Sequence, residues 1–80
     1  MRIVVVEDEP AIADFLVRGL EAAGYSVALA TDGPSGERLV LGGEADLVVL
    51  DVMLPGKGGL EVLASIREVR PHLPVIILSA

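Results

Sequence analysis

Cysteine and tryptophan are both missing from this 80-residue chain, and there is only one Phe and one Tyr. Without cysteine there is no disulfide and no thiolate metal site, which fits a reducing cytoplasm. Basic charge is scarce as well: six Lys and Arg stand against twelve Asp and Glu, a net charge of −6. Nucleic acid is held by a basic footprint, so these residues are not expected to bind DNA or RNA directly. A cation is the more natural ligand. No apolar run approaches the ~20 residues of a membrane span, and the few apolar residues after Arg2 are too short for a signal peptide.

What is present is aliphatic. The chain is 52 % hydrophobic, almost all of it Val, Leu, Ile and Ala, the composition of a parallel sheet covered by helices. The length allows one small domain, which buries only about 60 % of its unfolded surface.

The most informative stretch runs from Asp46 to Gly56. Leu47 to Leu50 is an unbroken apolar run, Asp51 follows it, and Pro55 and Gly56 then break the chain. A short Val-rich run bounded by turn residues reads as a strand buried on both faces. Asp51 is thereby placed at the carboxyl end of the strand, where open α/β sheets bind their ligands. The first strand, over Arg2 to Val6, ends the same way in Glu7-Asp8-Glu9. If the two strands are neighbours, Glu7, Asp8 and Asp51 converge on one acidic pocket. The plainer alternatives are that Asp51 caps a turn and that the acidic run favours the next helix N-terminus.

Pro10 suits the first turn of a helix, with Asp8 or Glu9 as its cap. Ile12, Leu16, Leu20 and Ala23 recur at helical spacing, with Phe15 and Gly19 alongside and Asp14, Arg18 and Glu21 on the wet side. Gly24 is the expected left-handed stop. Ser26 to Ala30 reads as a second strand, and Thr31-Asp32-Gly33-Pro34 as a turn into a helix ending near Leu41 before Gly42-Gly43. Gly36 weakens that helix. After the strand from Asp46 to Leu50 and a loop to Gly58, a third helix spans Gly59 to Val69. Leu60, Leu63 and Ile66 are expected inward, with Val62 and Val69 as further members of that face. Arg67 and Arg70 read as solvated charges in its last turn, and Pro71 ends it. Pro74 to Leu78 is a fourth strand, with Ser79 at its carboxyl end.

About 15 to 25 residues separate successive strands, enough for a crossover helix each time and too many for hairpins. Right-handed crossovers then build an α/β, doubly wound parallel sheet.

Clustered carboxylates repel: at an effective dielectric near 20, two charges 4 Å apart cost about 4 kcal/mol. Mg²⁺ relieves such a cluster with one or two protein carboxylates, waters and a substrate phosphate. Asp8 and Asp51 supply the carboxylates in this reading, with Glu7 on a metal-bound water. A carboxylate beside Mg²⁺ is also a nucleophile toward phosphorus, and Ser79 offers a hydroxyl to a phosphoryl oxygen. Gly56-Lys57-Gly58-Gly59 lacks the spacing and the Ser or Thr of a nucleotide-binding P-loop.

Val-Val-Glu-Asp-Glu-Pro at 5 to 10, Leu-Asp-Val-Met-Leu-Pro-Gly at 50 to 56, Gly-Leu-Glu-Val-Leu at 59 to 63 and Ile-Ile-Leu-Ser-Ala at 76 to 80 resemble the receiver domain of two-component response regulators. The resemblance covers the whole chain and implies a flavodoxin-like receiver fold with strand order 2-1-3-4. By motif, Glu7 and Asp8 resemble the acidic metal pair and Asp51 the phosphoacceptor. Met53 matches the residue whose backbone carbonyl binds Mg²⁺, Ser79 the switch hydroxyl, and Ala80 the small residue after it. The resemblance implies a signalling phosphoacceptor rather than an enzyme, a sensor histidine kinase as donor and an output domain as effector. The Met-Leu-Pro-Gly loop is most like that of transcription factors with a winged-helix output.

Receiver domains continue with a fifth strand, bearing a Lys that contacts the phosphoryl group, and two further helices. Residues 1–80 are therefore expected to be the N-terminal two-thirds of one. The fourth strand is then an apolar edge through which the chain is expected to self-associate. Two rival readings remain: a metal-dependent α/β phosphatase or phosphotransferase with an Asp nucleophile, and a self-associating structural fragment without chemistry. The first rival wants a second acid two residues after the nucleophile, where Met53 stands.

Overall fold

The computed structural model describes residues 1–43 and 45–78. Seven elements alternate: β1 (Arg2–Val6), α1 (Pro10–Ala22), β2 (Ser26–Ala30), α2 (Gly33–Leu41), β3 (Leu47–Asp51), α3 (Gly59–Val69) and β4 (Val75–Leu78). The four strands form one sheet in the order β2-β1-β3-β4, with every neighbouring pair parallel. The doubly wound sheet expected from the strand spacing is the observed one.

Strand alternation divides the core in two. Val4, Val6, Val48 and Leu50 point to the face covered by α2 and α3, where Val40, Val62 and Ile66 meet them. Ile3, Val5 and Val49 point to the other face, against Leu16 and Leu20 of α1. The side chains of Val4, Val5, Val6, Val48 and Leu50 are fully buried, as strands covered on both faces require.

The helix faces are rotated from the expected ones. On α1 the inward stripe is centred on Ala13, Leu16 and Leu20, while Phe15 is 75 % exposed and Ile12 is exposed too. Ala23 is the exposed C-cap rather than a core residue, and Gly24 follows with φ 97° as the left-handed stop. On α3, Gly59, Val62 and Ile66 are buried, whereas Leu60 is 62 % and Val69 61 % exposed. At 3.6 residues per turn, Leu60 lies about 100° around the helix from Gly59, off the packed stripe.

Two strand boundaries move inward by one residue. Asp46 precedes β3 because its carboxylate accepts from the Arg2 N–H (2.7 Å) and its own N–H donates to the Arg2 carbonyl (2.8 Å). Pro74 precedes β4, lacking an N–H for the ladder, although its carbonyl accepts from the Val48 N–H.

Gly36 costs α2 propensity but is required by packing. A Cβ there would lie 2.7 Å from both Cγ atoms of Val6, so only glycine lets α2 settle on β1. Arg67 and Arg70 are not the solvated charges expected. Arg67 Nη1 donates to the carbonyls of Arg70, Pro71 and Leu73, and Arg70 Nη2 donates to the Ala45 carbonyl, so together they pin the turn between α3 and β4.

Candidate functional site

The topology makes β1 and β3 adjacent, with Val6 opposite Leu50. The residues that follow, Glu7 and Asp8 after β1 and Asp51 closing β3, therefore emerge side by side at the carboxyl edge. One carboxylate oxygen from each of Glu7, Asp8 and Asp51 lies within 4.8 Å of the others. The convergence expected from the two acidic strand ends is present.

The three acids differ in setting. Glu7 is only 3 % exposed; its N–H extends the β1–β2 ladder to the Ala30 carbonyl and its Oε2 accepts from the Glu9 N–H (3.0 Å). Glu9, not Asp8, caps α1, its Oε1 accepting from the Ala11 N–H (3.2 Å). Asp8 is thus spared the capping role and remains exposed at the rim. Asp51 is half-buried, and its Oδ1 accepts from the Met53 N–H (3.1 Å). Glu7, Asp8, Glu9, Ile12, Asp51, Met53 and Leu78 line a cleft of about 500 Å³. Leu78 faces Asp51 in the β3–β4 register, so β4 forms one wall. Ser79 and Ala80 lie outside the described residues.

Burial pushes the Glu7 carboxyl above its ordinary value of 4.5; the Glu9 N–H opposes this, while the hydrogen bond with Asp51 and the charges of Asp51 and Asp8 add to it. A carboxyl whose pKa is raised on folding binds its proton more tightly in the native state. Its stabilising contribution is complete below 4.5 and is lost as pH rises through the elevated native value. Glu7→Gln is therefore expected to flatten the fall in metal-free stability between mildly acidic and neutral pH. Chemical denaturation at a series of pH values reads this directly; parallel curves for the two proteins would contradict it.

The loop after β3 is folded tightly against the site. The Gly59 N–H donates to the Val52 carbonyl (3.0 Å), and a Cβ on Gly59 would lie 2.1 Å from the Asp51 carbonyl oxygen. Glycine is what lets α3 start directly beneath the phosphoacceptor candidate. Lys57, the chain's one lysine, does not balance the acidic cluster; its Nζ contacts Glu37 Oε2 (2.7 Å) and Ser65 Oγ (2.8 Å). Nothing in local sequence pattern announced that contact, since Lys57 and Glu37 are 20 positions apart. Ile12 and Leu78 as cleft walls were equally invisible, being set by how α1 and β4 lie on the sheet.

The donor set consists of hard oxygens at the sheet edge where ligands bind, and it fits a small divalent cation. Among the described residues no helix is long and apolar enough to cross a membrane.

Comparison with known proteins agrees with this geometry. The family model described as the response regulator receiver domain matches residues 3–80. The transcriptional regulatory protein DltR of Streptococcus agalactiae is 49 % identical over the whole chain, and CusR of Escherichia coli is 36 % identical. The chain spans 36 % of DltR and 35 % of CusR, about a third of each. Among solved structures, TrrA of Thermotoga maritima in complex with Mg²⁺-BeF superposes with a TM-score of 0.93 at 39 % identity, covering 99 % of this chain and 69 % of that one. A CheY-like receiver domain protein of Methanospirillum hungatei gives 0.93 at 31 % identity, covering 98 % and 62 %. Strand order, acidic strand ends and the match over nearly every residue lead to one assignment: the chain belongs to the receiver-domain family of two-component response regulators.

Proposed function

We propose that this chain takes a phosphoryl group onto Asp51 from a sensor histidine kinase and thereby switches an output domain. The observation that carries the proposal is the convergence of Glu7, Asp8 and Asp51, with oxygens within 4.8 Å, in a cleft with the tightly folded 52–58 loop at its side. In this reading residues 1–80 are the N-terminal two-thirds of the receiver domain, supported by their 62 to 69 % coverage of the two solved relatives above. The names of DltR and CusR support transcription regulation as the output, and a cytoplasmic location goes with it.

Asp8, Asp51 and the Met53 carbonyl would hold Mg²⁺, with Glu7 on a metal-bound water; the ion would neutralise charge on the transferring phosphoryl group. The chain's own residues do the rest. The Met53 N–H holds Asp51 Oδ1, which leaves Oδ2 to attack phosphorus. The bond from phosphorus to the donor imidazole nitrogen breaks, and its electron pair returns to the ring. Ser79 then binds a phosphoryl oxygen as the switch hydroxyl. Incubation with a small acyl phosphate and Mg²⁺ tests this: one base- and hydroxylamine-labile phosphoryl group per chain is expected. Steady turnover of a generic phosphate ester without labelled protein would favour the phosphatase reading, against which stands Met53 in the position of its second acid.

β4 is paired on one side only among the described residues, and Ile76 and Ile77 are 52 % and 39 % exposed. Each such side chain left in water forfeits part of the about 1.5–3 kcal/mol that full burial contributes. The 80-residue polypeptide taken by itself is therefore expected to associate through this edge. Light scattering should show mass rising with concentration; a well-dispersed monomer at low micromolar concentration would contradict it.

A further inference from the structure

Lys57 reaches from the loop after β3 to polar groups on both helices of that face. Its Nζ lies 2.7 Å from Glu37 Oε2 on α2 and 2.8 Å from Ser65 Oγ on α3. The side chains of Lys57 and Glu37 are 31 % and 20 % exposed, so the pair is partly shielded from water. The loop backbone is docked on the first turn of α2 as well. The Gly33 N–H donates to the Pro55 carbonyl (3.4 Å), and the Lys57 carbonyl occupies the place of a Gly33 Cβ, which would lie 2.0 Å from it. Only Val52, Met53 and Leu54 separate Asp51 from this docked segment. At the exit of the loop Gly58 caps α3 without a side-chain hydrogen bond, and the Gly59 N–H to the Val52 carbonyl (3.0 Å) is a backbone tie, so Lys57 supplies the side-chain one.

We propose that Lys57 is a positioning residue, tying the 52–58 loop to α2 and α3 and so holding the Met53 backbone against Asp51. The inference rests on the phosphoacceptor reading above. A partly exposed ion pair contributes little to global stability, so the role is expected in loop order rather than in the melt. A loop released from Glu37 and Ser65 lets the Met53 N–H leave Asp51 Oδ1, and the Met53 carbonyl moves with it.

The test compares wild type, Lys57→Met, Glu37→Gln and Lys57→Arg in the full chain, by amide hydrogen exchange over residues 52–58 and by Mg²⁺ titration. Lys57→Met is expected to speed exchange at the Met53 amide and to weaken Mg²⁺ by about tenfold, as loss of an outer-shell partner does. Glu37→Gln should do the same more mildly, and Lys57→Arg should stay near wild type. Wild-type exchange at Met53 in Lys57→Met would overturn the proposal, whatever happens to the melting temperature. A wild-type chain that bound no Mg²⁺ would defeat the metal-site reading instead, while the exchange rates would still decide the part played by Lys57.

Discussion

Asp51→Asn is expected to abolish phosphoryl uptake and, without metal, to make the protein more stable by about 1 kcal/mol. The two effects share one cause. One carboxylate oxygen of Asp51 lies within 4.8 Å of one from Glu7 and one from Asp8, so three like charges are gathered there, and in the proposed reading a cation or phosphoryl group is what they await. Asparagine removes the charge and the nucleophile but keeps Oδ1 as an acceptor for the Met53 N–H. Its amide can also still hydrogen-bond Glu7. Denaturant melts in a chelator decide the matter. A clear loss of stability would mean that the Asp51 charge itself supports the fold, and would contradict the repulsion among the three carboxylates.

Asp8→Asn should leave the fold alone and remove the metal. Asp8 is exposed at the rim, and Glu9 does the capping of α1, so the change in stability should stay within about 0.5 kcal/mol, as for ordinary surface substitutions. Mg²⁺ affinity should fall by more than about tenfold, since even outer-shell losses at metal sites reach that size. Isothermal titration of both proteins at one pH measures it. Equal affinities would mean that the ion, if bound, is held elsewhere, and the acidic cluster would lose its explanation.

The parts of this fold that were legible in the sequence are those that one local pattern decides. Val-rich runs closed by acids marked β1 and β3, Gly24 marked the end of α1, and the spacing of strands required crossover helices. Because side chains at strand ends have one edge to emerge from, the convergence of Glu7, Asp8 and Asp51 is legible in the sequence alone. Helix orientation was less legible. Ile12, Phe15, Leu60 and Val69 are apolar at nearly the right spacing, yet the stripe that packs is set by the sheet surface below, and these four fall outside it. Gly36 looked like a weak point in α2 and is instead the contact that brings the helix onto Val6. The contacts of Lys57, Arg67 and Arg70 were hidden for another reason. A long cation finds its partner through space, and nothing in its neighbours along the chain names Glu37, Leu73 or Ala45.

The central claim is that Asp51 is the phosphoacceptor. It is tested most directly by phosphorylating the chain with a small acyl phosphate and Mg²⁺, reducing the product with borohydride, and locating the modified residue by tandem mass spectrometry. Reduction converts an aspartyl-phosphate to homoserine, and the account predicts that change at Asp51 alone. A stable phosphate on Ser79, or modification spread over Glu7, Asp8 and Asp51 alike, would contradict it.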